Sequence, residues 1–225
     1  MLPEVIAQLV VLGIGVAVSP VAVIAAILLL VSPDGRTKAS LFVTGWVLAL
    51  AALGGAAVAL EEALGIGDSA DPRRVVAVMT LVLGVVLLGF GLMRWRGRPA
   101  PGDDEPTPAW MTAVNAATPA RALGLGALLA VAKPKNLILT LAAATVIAER
   151  AGSAAGSVAA LAAYLVIASA SVATPLVVAV ALRDRAGPVL ERWKVSLLAH
   201  NKAIMAVVFV AFGLLLVWKG VAGLV

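Results

Sequence analysis

Two lysines in an apolar stretch of the second half of the chain are the residues whose chemistry most needs explaining. Lys133 and Lys135 flank Pro134, and the stretch 122–148 contains no other charged residue. A lysine near the centre of a bilayer costs about 2.5–3.5 kcal/mol on insertion scales, so each ammonium group needs a partner. Lys133 lies 11 residues past Ala122. That distance is about 16 Å of helix, which is further than a lysine side chain reaches towards water.

The usual partner of such a lysine, an intramembrane carboxylate, is missing from the sequence. All 12 Asp and Glu residues lie between the apolar stretches or at their ends, with Glu61 and Glu62 closest to a core. Three ways of stabilising the lysines remain. Carbonyls freed by a helix break at Pro134 could accept their hydrogen bonds, one lysine could be deprotonated, or an anionic ligand could bind. Two adjacent cations without a counter-ion favour the anionic ligand. The alternative is that both lysines line a wet cytoplasmic vestibule and bind nothing specific.

Prolines at matching places suggest how such a site is opened. Pro20 and Pro134 each lie in the middle of an apolar stretch. A proline inside a helix removes one backbone hydrogen bond, and in lipid the freed carbonyl must find a partner or line a cavity. We therefore expect helix breaks at both prolines, with Ser19 and Asn136 adding hydrogen bonds to the site. A packing kink is the simpler alternative for either proline alone.

Further polar residues complete the predicted site. Trp46 carries an indole N–H that prefers a partner, so it could line a cavity or face lipid. The Ser and Thr residues near Pro175 could line a pore, or they could equally well be ordinary helix-packing contacts. The predicted substrate-binding residues are Lys133, Lys135, Asn136, Ser19, Arg121, Trp46 and Thr174, and the predicted helix breaks are Pro20, Pro134 and Pro175.

The composition places these residues in a membrane protein. Of the 225 residues, 62% are hydrophobic and 13% are charged, whereas a soluble domain has about 45–50% apolar and about 25% charged residues. This excludes a soluble enzyme, a nucleic-acid-binding domain and a disordered chain, and the net charge of +5 is explained by basic loops. Cysteine is absent, His200 is the only histidine, and no carboxylate pair lies in an apolar stretch. We therefore expect no enzyme activity, metal site, cofactor or nucleic-acid partner.

Apolar stretches long enough to cross a membrane recur six times. Crossing about 30 Å of hydrocarbon takes about 20 helical residues, and the stretches lack the alternation of barrel strands. The fold class is therefore an all-α integral membrane protein with six transmembrane helices. The predicted spans are 5–31, 39–60, 75–93, 122–148, 156–182 and 203–222. A short amphipathic helix is also predicted over 188–201, lying in the membrane interface.

The two halves of the chain share sequence features in the same order. Pro20 aligns with Pro134 at an offset of 114, and Phe90-Gly91-Leu92 aligns with Phe212-Gly213-Leu214 at an offset of 122. Three helices is an odd number, so two such repeats insert in opposite orientations. An inverted repeat with a broken helix in each half points to a transporter with a midplane site. The predicted domains are 1–94 and 121–225, joined by a cytoplasmic linker over 95–120.

The distribution of basic residues predicts the orientation. The first, third and fifth loops carry 11 Lys and Arg, and the other side of the membrane carries 4. The excess marks the cytoplasmic side. We therefore expect a multi-pass protein with its N- and C-termini outside.

Several short motifs carry a resemblance over nearly the whole chain. They are Val18-Ser19-Pro20, Leu30-Val31-Ser32-Pro33, Phe42-Val43-Thr44-Gly45-Trp46, Thr118-Pro119-Ala120-Arg121-Ala122 and Lys133-Pro134-Lys135-Asn136-Leu137. In this order they resemble the Sap family, the sulfolipid-addressing, GAP-like proteins of the LysE transporter superfamily. The superfamily often has Asn where this chain has Lys133. The added positive charge disfavours an amino-acid or cation substrate and favours an anionic headgroup.

The resemblance implies an exporter in the inner membrane of an actinobacterium. Its substrate would be an anionic amphiphile, such as a cell-envelope lipid or glycolipid intermediate, bound between the two repeats. The expected partners are that membrane lipid or lipid-like substrate, a second copy in a homodimer, and envelope-lipid synthesis or export proteins. Two alternatives remain open. One is a LysE-like exporter of small amino acids or metabolites, and the other is a non-transporting membrane scaffold for glycolipid export.

Overall fold

Helices make up nearly all of the chain that the structure describes. The computed structural model describes residues 2–64, 81, 84–93, 111, 114, 116–150 and 152–223. Its helices are α1 (Leu2–Ala17), α2 (Pro20–Leu30), α3 (Gly35–Leu64), α4 (Gly84–Met93), α5 (Pro119–Val131), α6 (Pro134–Arg150), α7 (Ala154–Leu182) and α8 (Ala186–Ala222). A single 3-10 turn, Arg183–Arg185, joins α7 to α8. These residues include no strand, so the all-α class is confirmed for them.

Two helix pairs are broken at prolines. The axes of α1 and α2 are bent by 59°, and those of α5 and α6 by 72°. Pro20 and Pro134 are the first residues of α2 and α6, a position where a helix has no use for the missing N–H. A proline also disfavours helical backbone in the residue before it, and Ser19 has φ −136° and ψ 76°. Both breaks therefore lie at the residues that the sequence indicates.

Within the described residues, three unbroken segments are long and apolar enough to cross a membrane. They are Gly35–Glu61, Ala154–Leu182 and Ala203–Ala222, and the count rises to five if each bent pair forms one span. Of the predicted third span, only 81 and 84–93 belong to the described residues. Most of the linker 95–120 and the loop 65–74 lie outside them as well. Large apolar side chains remain exposed on the helices, Val166 at 72% for example, as expected for contact with lipid.

The predicted break at Pro175 is wrong. The helix α7 continues through Pro175 from Ala154 to Leu182. A proline costs a membrane helix one hydrogen bond, and neighbouring helices and hydroxyl groups can compensate for that loss. Pro175 is buried, and α7 packs against α1, α2 and α3.

The prediction of a separate short helix over 188–201 is also wrong. The segment is the first part of α8, which runs without interruption to Ala222. No proline or glycine lies between Pro188 and Gly213, so nothing in the sequence ends the helix before the last span. Leu190 is buried in a small cluster with Ile27 and Ala179. The amphipathic segment therefore packs on α2 and α7.

A close helix crossing joins the first and second halves of the chain. At this crossing α3 and α5 meet through two glycines. A Cβ atom built on Gly45 would overlap the carbonyl of Leu123, and one built on Gly126 would overlap the carbonyl of Phe42. Trp46 is fully buried beside this crossing. The contact packs α5 closely against α3.

Candidate binding site at the two helix breaks

The two helix breaks contact each other. Lys133, between α5 and α6, donates a hydrogen bond from Nζ to Oγ of Ser19, between α1 and α2, at 2.6 Å. These residues are 114 positions apart, which is the offset that aligns Pro20 with Pro134. Ser19 is buried and Lys133 is half-buried. Positions that match between the two halves of the chain are therefore in direct contact.

Lys135 donates hydrogen bonds to backbone carbonyls at the C-terminal end of α1. The last carbonyls of a helix lack intrahelical partners, and Pro20 has no N–H to offer them. The Nζ of Lys135 donates to the carbonyl of Val18 at 2.8 Å and also to the carbonyl of Gly15. Lys135 is only 4% exposed, and it lies where the dipole of α1 is negative. Backbone carbonyls of the first break therefore accept the hydrogen bonds of the Lys135 amino group.

These carbonyls belong to a different break from the one that the sequence suggests. The expected carbonyl partners are those freed at Pro134, whereas the observed ones lie 117 and 120 residues before Lys135. Side chains on a helix point back towards its N-terminus. Lys135 is the second residue of α6, so its side chain points back past the start of that helix and reaches α1.

A third side-chain donor at the first break comes from α7. Ser171 donates from Oγ to the carbonyl of Ala17, the last residue of α1. Sequence reasoning did not place Ser171 in the site, because a mid-span hydroxyl is equally typical of helix packing. The sequence indicated only that carbonyls freed at Pro20 need hydrogen-bond donors, and it did not show which residue supplies them.

Asn136 satisfies part of the second break. Its Nδ2 donates to the carbonyl of Ala130, near the end of α5, at 2.9 Å. The side chain is fully buried, and among the described residues its Oδ1 has no hydrogen-bond partner. Buried acceptors are usually paired. The acceptor capacity of this oxygen is therefore unused within the described part of the chain.

Three other predicted site residues do not contact the two lysines through a hydrogen bond. Trp46 is fully buried, and its Nε1 has no partner among the described residues. Thr174 is exposed and donates to the carbonyl of Ala170 in its own helix at 2.7 Å. Arg121 is exposed in the first turn of α5, which Thr118 caps. The break lies about 15 Å further along that helix.

The electrostatics of the site favour an anion near Lys133. The N-termini of α2 and α6 lie at the two breaks, and each helix N-terminus carries about half a positive charge. Lys133 adds a full positive charge. In the described part of the chain the single ion pair joins Lys194 to Glu191 at 2.6 Å, so neither site lysine meets a carboxylate there. An anion held at Lys133 would be attracted by the ammonium group and the N-terminus of α6, and repelled by the C-terminus of α5 at the same break.

A family model accounts for this arrangement of motifs. The model described as Sap, sulfolipid-1-addressing protein, matches residues 9–222. The chain belongs to the Sap family. The resemblance indicated by the motifs is therefore confirmed. No curated protein and no solved structure matches the chain.

The match to the Sap family model covers both breaks and all the predicted site residues. The match begins within α1 and ends at the last residue of α8. Together with apolar helices long enough to cross a bilayer, it identifies the chain as a membrane protein. The description of the family names the addressing of a sulfolipid.

Proposed function

We propose that this Sap protein exports an anionic amphiphile and that Lys133 binds the anionic headgroup. The observation that carries the proposal is the Lys133–Ser19 hydrogen bond at the meeting point of the two breaks. A lysine ammonium has three N–H donors. One of them donates to Ser19, so others remain for a phosphate, sulfate or carboxylate oxygen.

The broken helices support transport as the activity. In many transporters, helices interrupted at corresponding positions of two inverted repeats hold the substrate near the bilayer midplane. We propose that α1 with α2, and α5 with α6, each form one span. The whole chain would then have six spans, in the repeats 1–94 and 121–225. Ser19 and Asn136 would contribute hydrogen bonds to the substrate.

The family supports a lipid as the substrate. The Sap description names a sulfolipid, which combines an anionic group with apolar chains. We propose a cell-envelope lipid or glycolipid intermediate as the cargo and the inner membrane of an actinobacterium as the location. Both termini would lie outside, and the protein would belong to the LysE superfamily. A second copy and envelope-lipid synthesis or export proteins are the proposed protein partners.

Two lipids that differ only in a sulfate group test the headgroup site. The protein is purified in a neutral detergent, and its melting temperature is measured with sulfatide or with galactosylceramide. Sulfatide should raise the melting temperature by about 5–10 °C at about 100 times its Kd. Lys133→Gln should weaken binding of sulfatide by about tenfold to a hundredfold, because a charge-assisted hydrogen bond is lost.

The matched control is Lys194→Gln, which removes the same charge from the surface pair with Glu191. It should leave the response to sulfatide unchanged. Equal responses to both lipids, or no effect of Lys133→Gln, would contradict the headgroup site. Stabilisation by small amino acids instead would favour the LysE-like metabolite exporter. Binding of sulfatide without its movement across liposome membranes would favour the scaffold.

A further inference from the structure

Carbonyl oxygens at a helix break can form a site for a cation. Where a membrane helix is interrupted, unwound carbonyls and the negative end of the half-helix can coordinate a coupling ion such as Na⁺. At the first break these acceptors are the carbonyls of Gly15, Ala17 and Val18. They lie at the C-terminal end of α1 and in the two-residue segment that follows it.

All three of these oxygens accept hydrogen bonds from other helices of the protein. Lys135 donates to Gly15 and Val18, and Ser171 donates to Ala17. The Lys135 ammonium thus bridges two oxygens, as a bound monovalent cation would. In its protonated form it also brings the same charge of +1 to the negative end of α1.

Packing closes this site around the ammonium group. Lys135 and Ser19 are 4% and 2% exposed. A Cβ atom on Gly15 would meet Phe212 of α8 and Leu139 of α6 at 2.6–2.7 Å, so glycine lets these helices approach the carbonyl. A metal ion entering here would have to displace Lys135 and would meet its positive charge at close range.

We infer that Lys135 is a tethered cation that fills the ion site of the first break, so that the protein works without a bound metal cation. The inference goes beyond the proposed export of an amphiphile and does not depend on which amphiphile is carried. Lys133 and Lys135 then have separate tasks. Lys133 faces the substrate, and Lys135 is a positioning residue that keeps the two half-helices of the first span together.

Removal of the tethered charge should create a requirement for a free cation. The melting temperature of wild type, Lys135→Ala and Lys133→Ala is measured in NaCl and in N-methyl-D-glucamine chloride at equal ionic strength. Wild type should show no difference between the two salts. Lys135→Ala should melt below wild type in N-methyl-D-glucamine chloride and regain about 2–4 °C in NaCl, because Na⁺ occupies the vacated carbonyl site.

Lys133→Ala is the matched control, because Lys133 contacts a hydroxyl group and not the helix-end carbonyls. It should respond equally to both salts. A sodium response in wild type, a Lys135→Ala variant indifferent to the salt, or a sodium response in Lys133→Ala as large as that of Lys135→Ala would each overturn the inference. Accumulation of Lys135→Ala only in sodium-containing buffers would support it.

A second variant, Lys135→Arg, tests the inference if Lys135→Ala does not fold. If Lys135→Ala fails to accumulate in any salt, Lys135→Arg, which keeps the charge, should accumulate and show no sodium response. Failure of Lys135→Arg in N-methyl-D-glucamine chloride together with rescue by NaCl would contradict a tethered cation. The sulfatide measurements use no sodium comparison. The lipid proposal can therefore fail while the cation inference stands, and the reverse also holds.

Discussion

At the scale of single residues, the two lysines differ in burial and in the groups to which they donate hydrogen bonds. Lys133 is half-buried and donates one hydrogen bond to a hydroxyl group, so its other N–H donors remain for an anion. Lys135 is buried and bonded to two carbonyls at a helix end. Removal of its side chain would leave those acceptors unsatisfied, which is expensive in lipid. The half-buried Lys133 is therefore suited to binding a ligand, and the buried Lys135 to holding the two half-helices together.

A buried polar pair elsewhere in the core gives a prediction at the same scale. Thr140 of α6 and Tyr164 of α7 are fully buried, and their hydroxyl oxygens lie 2.9 Å apart. Tyr164→Phe should destabilise the protein by about 0.6–2 kcal/mol, because Thr140 loses its partner. The measurement is reversible unfolding in mixed micelles.

The double variant Tyr164→Phe with Thr140→Val serves as the control for this pair. Removal of both hydroxyl groups leaves no unpaired group, so the double variant should lose less stability than the two single variants together. Strict additivity would mean that the hydroxyl groups do not interact.

At the scale of elements, the crossing of α3 and α5 depends on a glycine at each contact. Gly126→Ala should push the two helices apart, because the new Cβ would overlap the carbonyl of Phe42. Overpacking of this kind costs about 1–3 kcal/mol. We expect a lower melting temperature and less folded protein by size-exclusion chromatography.

Gly124→Ala is the control on the same helix. A Cβ atom at Gly124 would meet nothing within 4 Å, and alanine favours a helix over glycine. Gly124→Ala should therefore leave the melting temperature unchanged or raise it. An equal loss in both variants would mean that helix propensity, and not the crossing, controls the result.

The three prolines show why element boundaries need tertiary contacts. Pro20, Pro134 and Pro175 all lie within apolar stretches, yet α7 continues through Pro175. At Pro20 the freed end of α1 meets donors from Lys135 and Ser171. A break therefore persists where side chains from other helices satisfy the freed carbonyls.

At the scale of the whole molecule, the contact between the breaks is asymmetric. The donors Lys133 and Lys135 come from the second half of the chain, and the acceptors Ser19, Gly15 and Val18 come from the first. At an offset of 114, the position that matches Lys135 is Val21, which has no charge. An exporter with two similar halves would therefore bind its anion with one half and its internal cation with the other.

The proposed orientation can be tested with single cysteines, because the chain has none of its own. Ala155 is exposed near the start of α7, and Gly187 is exposed near the start of α8 with nothing within 4 Å of a new Cβ. With both termini outside, Ala155→Cys should react with a membrane-impermeant maleimide on intact cells. Gly187→Cys should react only after permeabilisation.

The native protein, which lacks cysteine, controls for background labelling. Labelling of Gly187→Cys on intact cells with protection of Ala155→Cys would reverse the orientation. Labelling of both positions on intact cells would mean that α7 does not cross the membrane.

The sequence by itself determined the membrane class, the Sap resemblance and the breaks at Pro20 and Pro134. Apolar length and the missing N–H of proline are local properties that can be read from consecutive residues. Only the tertiary structure decided that Lys135 meets the carbonyls of Gly15 and Val18, and that Lys133 meets Ser19. These partners lie 114 to 120 residues away, and their pairing depends on how α1 packs against α6. No local property of the chain encodes that packing.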